Sequence, residues 1–364
     1  MIPISVCIIA KNEEKNIEKC LAPLMPYNFE IIVVDTGSTD RTKEIARKYT
    51  DFVYDFEWVN DFSAARNFSL KKASHNYVLI LDCDEFLTEI DLEGVCQAIE
   101  EHPRSVGCLL RHSYYDDSTS GMRVSYPDRV ERLFHKRYYY YLLTIHEQVT
   151  EIKTNGTCYE RYDIPLTVEH VGYCGGMEAM RQKVERNNAL LLKEIEKDPN
   201  EPYFYFQIGQ SYNSISDYEN AYLYYKKAFE LPIDPGQPWL PVMAQAYIHA
   251  MNALERPEEA IAFFTPRYDS FANDAGFFCS LGASYLRIEQ PMKAMMEFVK
   301  ALQCSNVREE GVGSYIPYYN IGLINEMLGD LPSAVSFYQR AAAYQYPLAI
   351  DRLQQLGITT QQET

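Results

Sequence analysis

The chain opens with short, continuous apolar runs separated by amphipathic stretches. "ISVCIIA" (4–10), "EIIVVD" (30–35), "FVYDFEW" (52–58) and "YVLIL" (77–81) read as strands. Between them, "NEEKNIEKCLAPL" (12–24), "GSTDRTKEIARKY" (37–49) and "FSAARNFSLKKAS" (62–74) carry helical spacing and polar start signals. Apolar strands alternating with amphipathic helices predict a parallel sheet covered on both faces. In such a sheet ligands sit beyond the carboxyl ends of the strands. Those ends read "AKNE", "DTGSTD" and "DCDE", all polar and acidic. Residues 105–170 are β-rich and less regular, with four consecutive tyrosines, Tyr138 to Tyr141, expected in a half-buried strand.

From about residue 200 the pattern changes to helix pairs. Gly209, Tyr212, Ala221, Tyr225 and Ala228 fall at the spacing of a tetratricopeptide unit. The same offsets give Gly282, Tyr285, Ala294, Phe298 and Ala301, then Gly322, Ala334, Tyr338 and Ala341. A weaker copy spans 244–267, with Ile248 where the glycine should be. In each copy small residues let paired helices approach while aromatics fill the gap. The predicted organisation is an α/β domain over 1–198 followed by an all-α tetratricopeptide-repeat solenoid over 199–364, with the boundary near "KDPNEP".

Composition narrows the function. A net charge of -17 repels phosphate backbones and anionic lipid heads, so nucleic acid and membrane surfaces are poor partners. No apolar run reaches the ~18 residues of a membrane span. The N-terminal stretch reads as a first strand, without the features of a signal peptide. Nine scattered cysteines with no C-x-x-C pair predict free thiols in a reducing, cytoplasmic setting and no structural zinc site.

"YVLILDCDEF" drives a buried strand into Asp82, Asp84 and Glu85. Strand alternation would put Asp82 and Asp84 on one side, with Cys83 pointing away. A divalent cation would offset their repulsion. Together with "ISVCIIAKNEEKNIEKCL", "IIVVDTGSTDRTKEIA", "WVNDFSAARNFSLKKAS", "IHEQV" and "VEHVGY", in this order, the stretch resembles a family 2 glycosyltransferase of GT-A fold. The layout is closest to the subgroup with C-terminal tetratricopeptide repeats that includes glycocin-type peptide S-glycosyltransferases.

The resemblance implies a metal-dependent, inverting transfer of a sugar from a nucleotide-sugar, UDP-linked, to a peptide, protein or glycan acceptor. Asp35 would meet uracil or ribose, although this chain has Asp35-Thr36 where many members carry two acids. Ala10, Asn12 and Glu13 would line the base pocket, and Arg66 would face the nucleotide. Asp84 would bind Mn2+ or Mg2+ with His170, and Asp82 would contact ribose or a metal-bound water. Glu147 is the expected general base, with His146 beside it and Glu85 as the alternative base or an orienting group for the metal site. Apart from the resemblance, Lys183 and Arg186 fall at i and i+3 on one helix face, from which they would either reach the diphosphate or stand solvated. Gly172, Gly175 and Gly176 would permit a lid. The repeats would bind a polypeptide or pair two copies. A nucleotidyltransferase would carry a Gly-rich basic loop after the first strand, where this chain has "AKNEE". The other alternative is a repeat scaffold with a vestigial catalytic domain.

Overall fold

The computed structural model describes residues 3–116, 123–173 and 176–358. The chain forms two compact units, 1–190 and 191–364.

The first unit is built on strands β1 (Ile4–Ala10), β2 (Glu30–Asp35), β3 (Val53–Asp55), β4 (Tyr77–Asp82), β5 (Glu85–Ile90), β6 (Val106–Asp116), β7 (Arg123–His135), β8 (Tyr139–Leu142), β9 (Gln148–Glu151) and β10 (Arg161–Tyr173). Its helices are α1 (Ile17–Leu21), α2 (Thr42–Ala46), α3 (Phe62–Lys72), α4 (Leu92–Glu101) and α5 (Gly176–Lys197). Eight strands form one sheet in the order β3-β2-β1-β4-β7-β6-β10-β5, and β8 and β9 form a separate hairpin. β1 lies between β2 and β4 and runs parallel to both, with Ile8 in register with Val33 and Leu81. β7 enters antiparallel between β4 and β6. Val6 and Ile8 belong to one core cluster and Cys7 to another, so β1 is buried on both faces, which is why it reads as an unbroken apolar run.

Two expected helices are shorter than their sequence patterns. The stretch 12–24 keeps only α1 and a following turn of 3-10 helix, and 37–49 keeps only α2. Side chains in these loops bond to backbone instead, as short polar residues do at strand ends. Asn12, at φ +56°, accepts through its amide oxygen from the Thr39 N–H (2.8 Å), and the Glu13 N–H donates to Thr42 Oγ1 (2.7 Å). In contrast, α3 starts where its cap predicts, with Asp61 Oδ1 accepting from the Ala64 N–H. Of the four tyrosines, Tyr139 and Tyr141 point into the core from β8. The glycine segment expected to form a lid includes Gly175, which lies outside the described residues.

The second unit contains α6 (Pro202–Ser214), α7 (Tyr218–Glu230), α8 (Leu240–Ala253), α9 (Pro257–Phe264), α10 (Ala275–Arg287), α11 (Pro291–Ala301), α12 (Tyr315–Met327), α13 (Leu331–Ala342) and α14 (Pro347–Gln355). The repeat glycines sit where helices touch rings. A Cβ on Gly209 would lie 2.5 Å from the Tyr225 ring, and one on Gly322 would lie 2.6 Å from the Tyr338 ring. On Gly282 it would meet the Phe298 ring at 3.0 Å. In the weaker copy Ile248 is fully buried, and Phe264 packs edge-on against Tyr247, Phe271 and Phe277. Among the described residues no helix is long and apolar enough to cross a membrane.

Candidate active site

A cleft of 380 Å3 opens beyond the carboxyl ends of β1 and β4. Its lining includes Ala10, Glu13, Arg66, Asp82, Asp84, His146, Glu147, His170, Lys183 and Arg186, ten side chains that the sequence singled out from six separate stretches. Lys11, Thr36, Trp58, Phe62 and Arg111 also line it and were not anticipated.

β4 ends at Asp82, and Cys83 and Asp84 form a turn leading into β5. The two aspartates therefore reach the cleft through a turn rather than by strand alternation. Cys83 packs inward, its thiol donating to the Ile9 carbonyl (3.4 Å). Burial pushes that thiol well above its ordinary pKa, reinforced by nearby Cys20, Glu13 and aspartates.

At this turn two acids, Asp82 and Glu85, are compensated by arginines. Asp82 Oδ1 accepts from Arg66 Nη2 and Oδ2 from Arg132 Nη2, each at 2.7 Å. Burial alone would raise the Asp82 pKa, but the charges of Arg66 and Arg132 outweigh it and hold the carboxyl well below the usual range. Each Asp82 oxygen thus accepts one guanidinium hydrogen bond in this arrangement. Glu85 is corrected as a candidate base. It is 0% exposed, accepts from Arg132 Nη2 (2.5 Å), Arg111 Nη1 (3.3 Å) and the Asp82 N–H (3.1 Å), and does not line the cleft. Its role is to anchor the turn from below.

Asp84 meets His170 instead. His170 Nε2 lies 3.5 Å from Asp84 Oδ2, and its Nδ1 faces Ser113 Oγ at 3.1 Å. The backbone registers the pair: the Val171 N–H donates to the Asp84 carbonyl (3.0 Å), and His170 sits opposite Glu85 in the β10–β5 ladder. An 86-residue separation in sequence thus closes to one contact through a strand pairing that sequence patterns do not encode.

Arg66 also departs from expectation. Besides Asp82 it holds Glu147, Nε to Oε1 at 2.5 Å, and its Cζ lies 5.4 Å from the Tyr141 ring centroid. Burial would lower its pKa, but Asp82 and Glu147 together raise it, so it is permanently charged. His146 precedes Glu147 at φ +52°, and its Nε2 is buried with no hydrogen-bond partner. Burial lowers its pKa against the pull of Glu147, which keeps the ring neutral near pH 7.

On the β1 side, Glu13 accepts from the Asn16 amide (2.9 Å). Burial raises its pKa, and Asp84, Asp40 and Asp82 add to the rise. Asn12 and Asp35 do not line the cleft. Asn12 is committed to Thr39, while Asp35, 1% exposed, accepts from the Gly37 and Ser38 N–H groups through Oδ1. Asp35 Oδ2 is buried without a partner, so one acceptor oxygen is left over at the end of β2. On α5, Arg186 lies over the Phe62 ring at 5.8 Å, and Trp58 meets Phe62 edge-on at 4.8 Å, which gives the cleft an aromatic rim.

Arg132 and Arg111 are the functional side chains that sequence reading missed. Arg132 lies in β7 directly before buried Leu133 and Phe134, at a register shift in which Glu131 pairs with Cys108 and Leu133 with Gly107. A charge against this apolar end of the strand was the available signal of a buried ion pair.

Comparison with known proteins agrees with this geometry. Residues 5–184 match the family described as Glycosyl transferase family 2, and residues 202–232 match a tetratricopeptide repeat. A TPR repeat-containing protein of Synechococcus elongatus is 25% identical over 276 residues, covering 74% of this chain and 66% of that protein. The SPbeta prophage-derived glycosyltransferase SunS of Bacillus subtilis is 29% identical over 234 residues, 62% of this chain and 53% of that protein. The chain therefore spans about half to two thirds of the length of these relatives. Through residues 5–184 the chain belongs to glycosyl transferase family 2, with a tetratricopeptide repeat following on its C-terminal side.

Proposed function

We propose that the protein is a metal-dependent, inverting glycosyltransferase that takes a sugar from a UDP-sugar and passes it to a polypeptide or glycan acceptor. The observation that carries this reading is the Asp84–His170 pair, set at the strand ends in a cleft whose α5 wall supplies Lys183 and Arg186.

The pair fits a divalent cation that arrives with a nucleotide. Among the described residues no group of three or more His, Cys, Asp or Glu side chains converges as a self-sufficient metal site. One carboxylate and one imidazole, the latter oriented by Ser113, leave the other coordination positions for diphosphate oxygens and water. That donor set suits Mn2+, and Mg2+ as the second choice. Bound there, the cation would neutralise charge gathering on the departing diphosphate.

The remaining roles fall to the chain's own groups. Lys183 and Arg186 offer positive charge to the diphosphate from α5. Glu13 and Ala10, which line the cleft beyond β1, support the nucleoside side. As the acceptor atom bonds to the anomeric carbon, the carbon–oxygen bond to UDP breaks and Glu147 takes the acceptor's proton. One such in-line step inverts the anomeric centre. Trp58 and Phe62 offer apolar faces to a sugar or an acceptor side chain. The repeats supply a surface for a polypeptide acceptor, with pairing of two copies as their other use. The free state of the eight described cysteines supports a reducing compartment, the cytoplasm.

UDP release from a panel of UDP-sugars with Mn2+ tests the proposal. Wild type should turn over at least one donor, and Asp84→Ala should lose about 10²-fold or more of that rate. A panel with no turnover and no donor binding by calorimetry would refute it. Release of pyrophosphate from a nucleoside triphosphate and a sugar phosphate would favour nucleotidyl transfer instead.

A further inference from the structure

Asp82 and Glu147, the proposed base, both line the cleft, and one side chain holds both. Arg66 reaches Asp82 through Nη2 at 2.7 Å and Glu147 through Nε at 2.5 Å. A guanidinium is a rigid planar fork, so the two carboxylates are fixed with respect to each other. Arg66 is itself fixed: it is buried, and Tyr141 packs against it. Asp82 is held on its second oxygen by Arg132, which is anchored in turn on Glu85. A continuous ionic chain, Glu85–Arg132–Asp82–Arg66–Glu147, thus runs from the sheet interior to the cleft wall.

Glu147 needs such a brace. It lies between β8 and β9, in a stretch where Leu143 and His146 both have left-handed backbone, at φ +76° and +52°. No strand ladder registers it there. Two guanidinium nitrogens of Arg66, Nε and Nη2, are engaged by the two carboxylates, and the third, Nη1, is shut off from solvent with no hydrogen-bond partner.

We infer that Arg66 is a positioning residue that aims Glu147 at the acceptor and does not itself bind the donor. The inference rests on Glu147 as the base. Oε1 is held by Arg66, which leaves Oε2 to take up the acceptor's proton. A lysine at 66 keeps the charge but cannot form both fixed contacts, so it should preserve the fold and lose the aim.

The test compares wild type, Arg66→Lys, Glu147→Gln and the double variant. UDP release from UDP-glucose and UDP-N-acetylglucosamine with Mn2+ gives kcat and donor KM, and calorimetry gives affinity for UDP with Mn2+. Arg66→Lys should lower kcat by about 10²-fold. Its UDP affinity and donor KM should stay within about threefold of wild type. The double variant should be no slower than Glu147→Gln alone, because Arg66 acts through Glu147. Glu147→Gln leaves the Arg66–Asp82 contact in place, and its retained UDP binding reports an intact cleft. Multiplying losses in the double variant, or a loss of about tenfold in UDP affinity with kcat retained in Arg66→Lys, would overturn the inference. Wild-type turnover in Glu147→Gln would overturn the base assignment itself, an outcome distinct from either.

Discussion

At the residue scale the site is organised by charge pairing. Arg132 compensates two acids, Asp82 and fully buried Glu85. Replacing it by methionine leaves Asp82 with Arg66 and Glu85 with the 3.3 Å contact from Arg111, and we expect a loss of about 3 kcal/mol, the low end for a broken buried pair because each acid keeps one arginine. Denaturant midpoints of Arg132→Met against wild type would read that loss. Asp82 also makes a pH signature. Its folded pKa is depressed below the ordinary 3.8, so its stabilisation is full above 3.8 and is lost as pH falls below that value. Asp82→Asn should lower stability at neutral pH and flatten its decline below pH 3.8, which acid titration of unfolding would show. At this scale the acids at the strand ends were legible in the sequence, because carboxylates after an apolar run cost too much to be incidental. Their partners were not. Arg66 and Arg132 come from α3 and β7, and which arginine meets which acid depends on tertiary register.

At the element scale, the alternation of buried strands and helices foretold the parallel sheet, since double-sided burial leaves an unbroken apolar signature. The lengths of α1 and α2 were misjudged, because Asn12, Ser38, Asp40 and Thr42 turn their side chains onto backbone groups between 12 and 42. Insertion of β7 between β4 and β6 had no local signal and required the fold. The helix pairs were the most readable part, because each glycine answers a ring. Gly209→Ala would drive a methyl to 2.5 Å from Tyr225, a ring fixed at 0% exposure. We expect about 1–3 kcal/mol of destabilisation. Gly282→Ala, meeting Phe298 at 3.0 Å, should cost less than Gly209→Ala in the same thermal-melt comparison.

At the scale of the whole molecule, two units with separate cores lie on one chain. Calorimetric unfolding should depart from a single two-state transition. Gly209→Ala should move only the transition of the repeat unit, and one transition shifting as a whole in that variant would show instead that the units melt together. We propose that the transfer activity belongs to the cleft of the first unit, where Asp84 and His170 would hold a cation together with UDP. The most direct measurement is the melting temperature of wild type and Asp84→Ala with UDP, with Mn2+, and with both. Saturating UDP and Mn2+ together should stabilise wild type by about 2–3 kcal/mol at a hundredfold excess over Kd, with UDP alone doing much less. Asp84→Ala should lose that cooperative gain. An equal gain from UDP with and without Mn2+, or the same gain in Asp84→Ala, would contradict the claim.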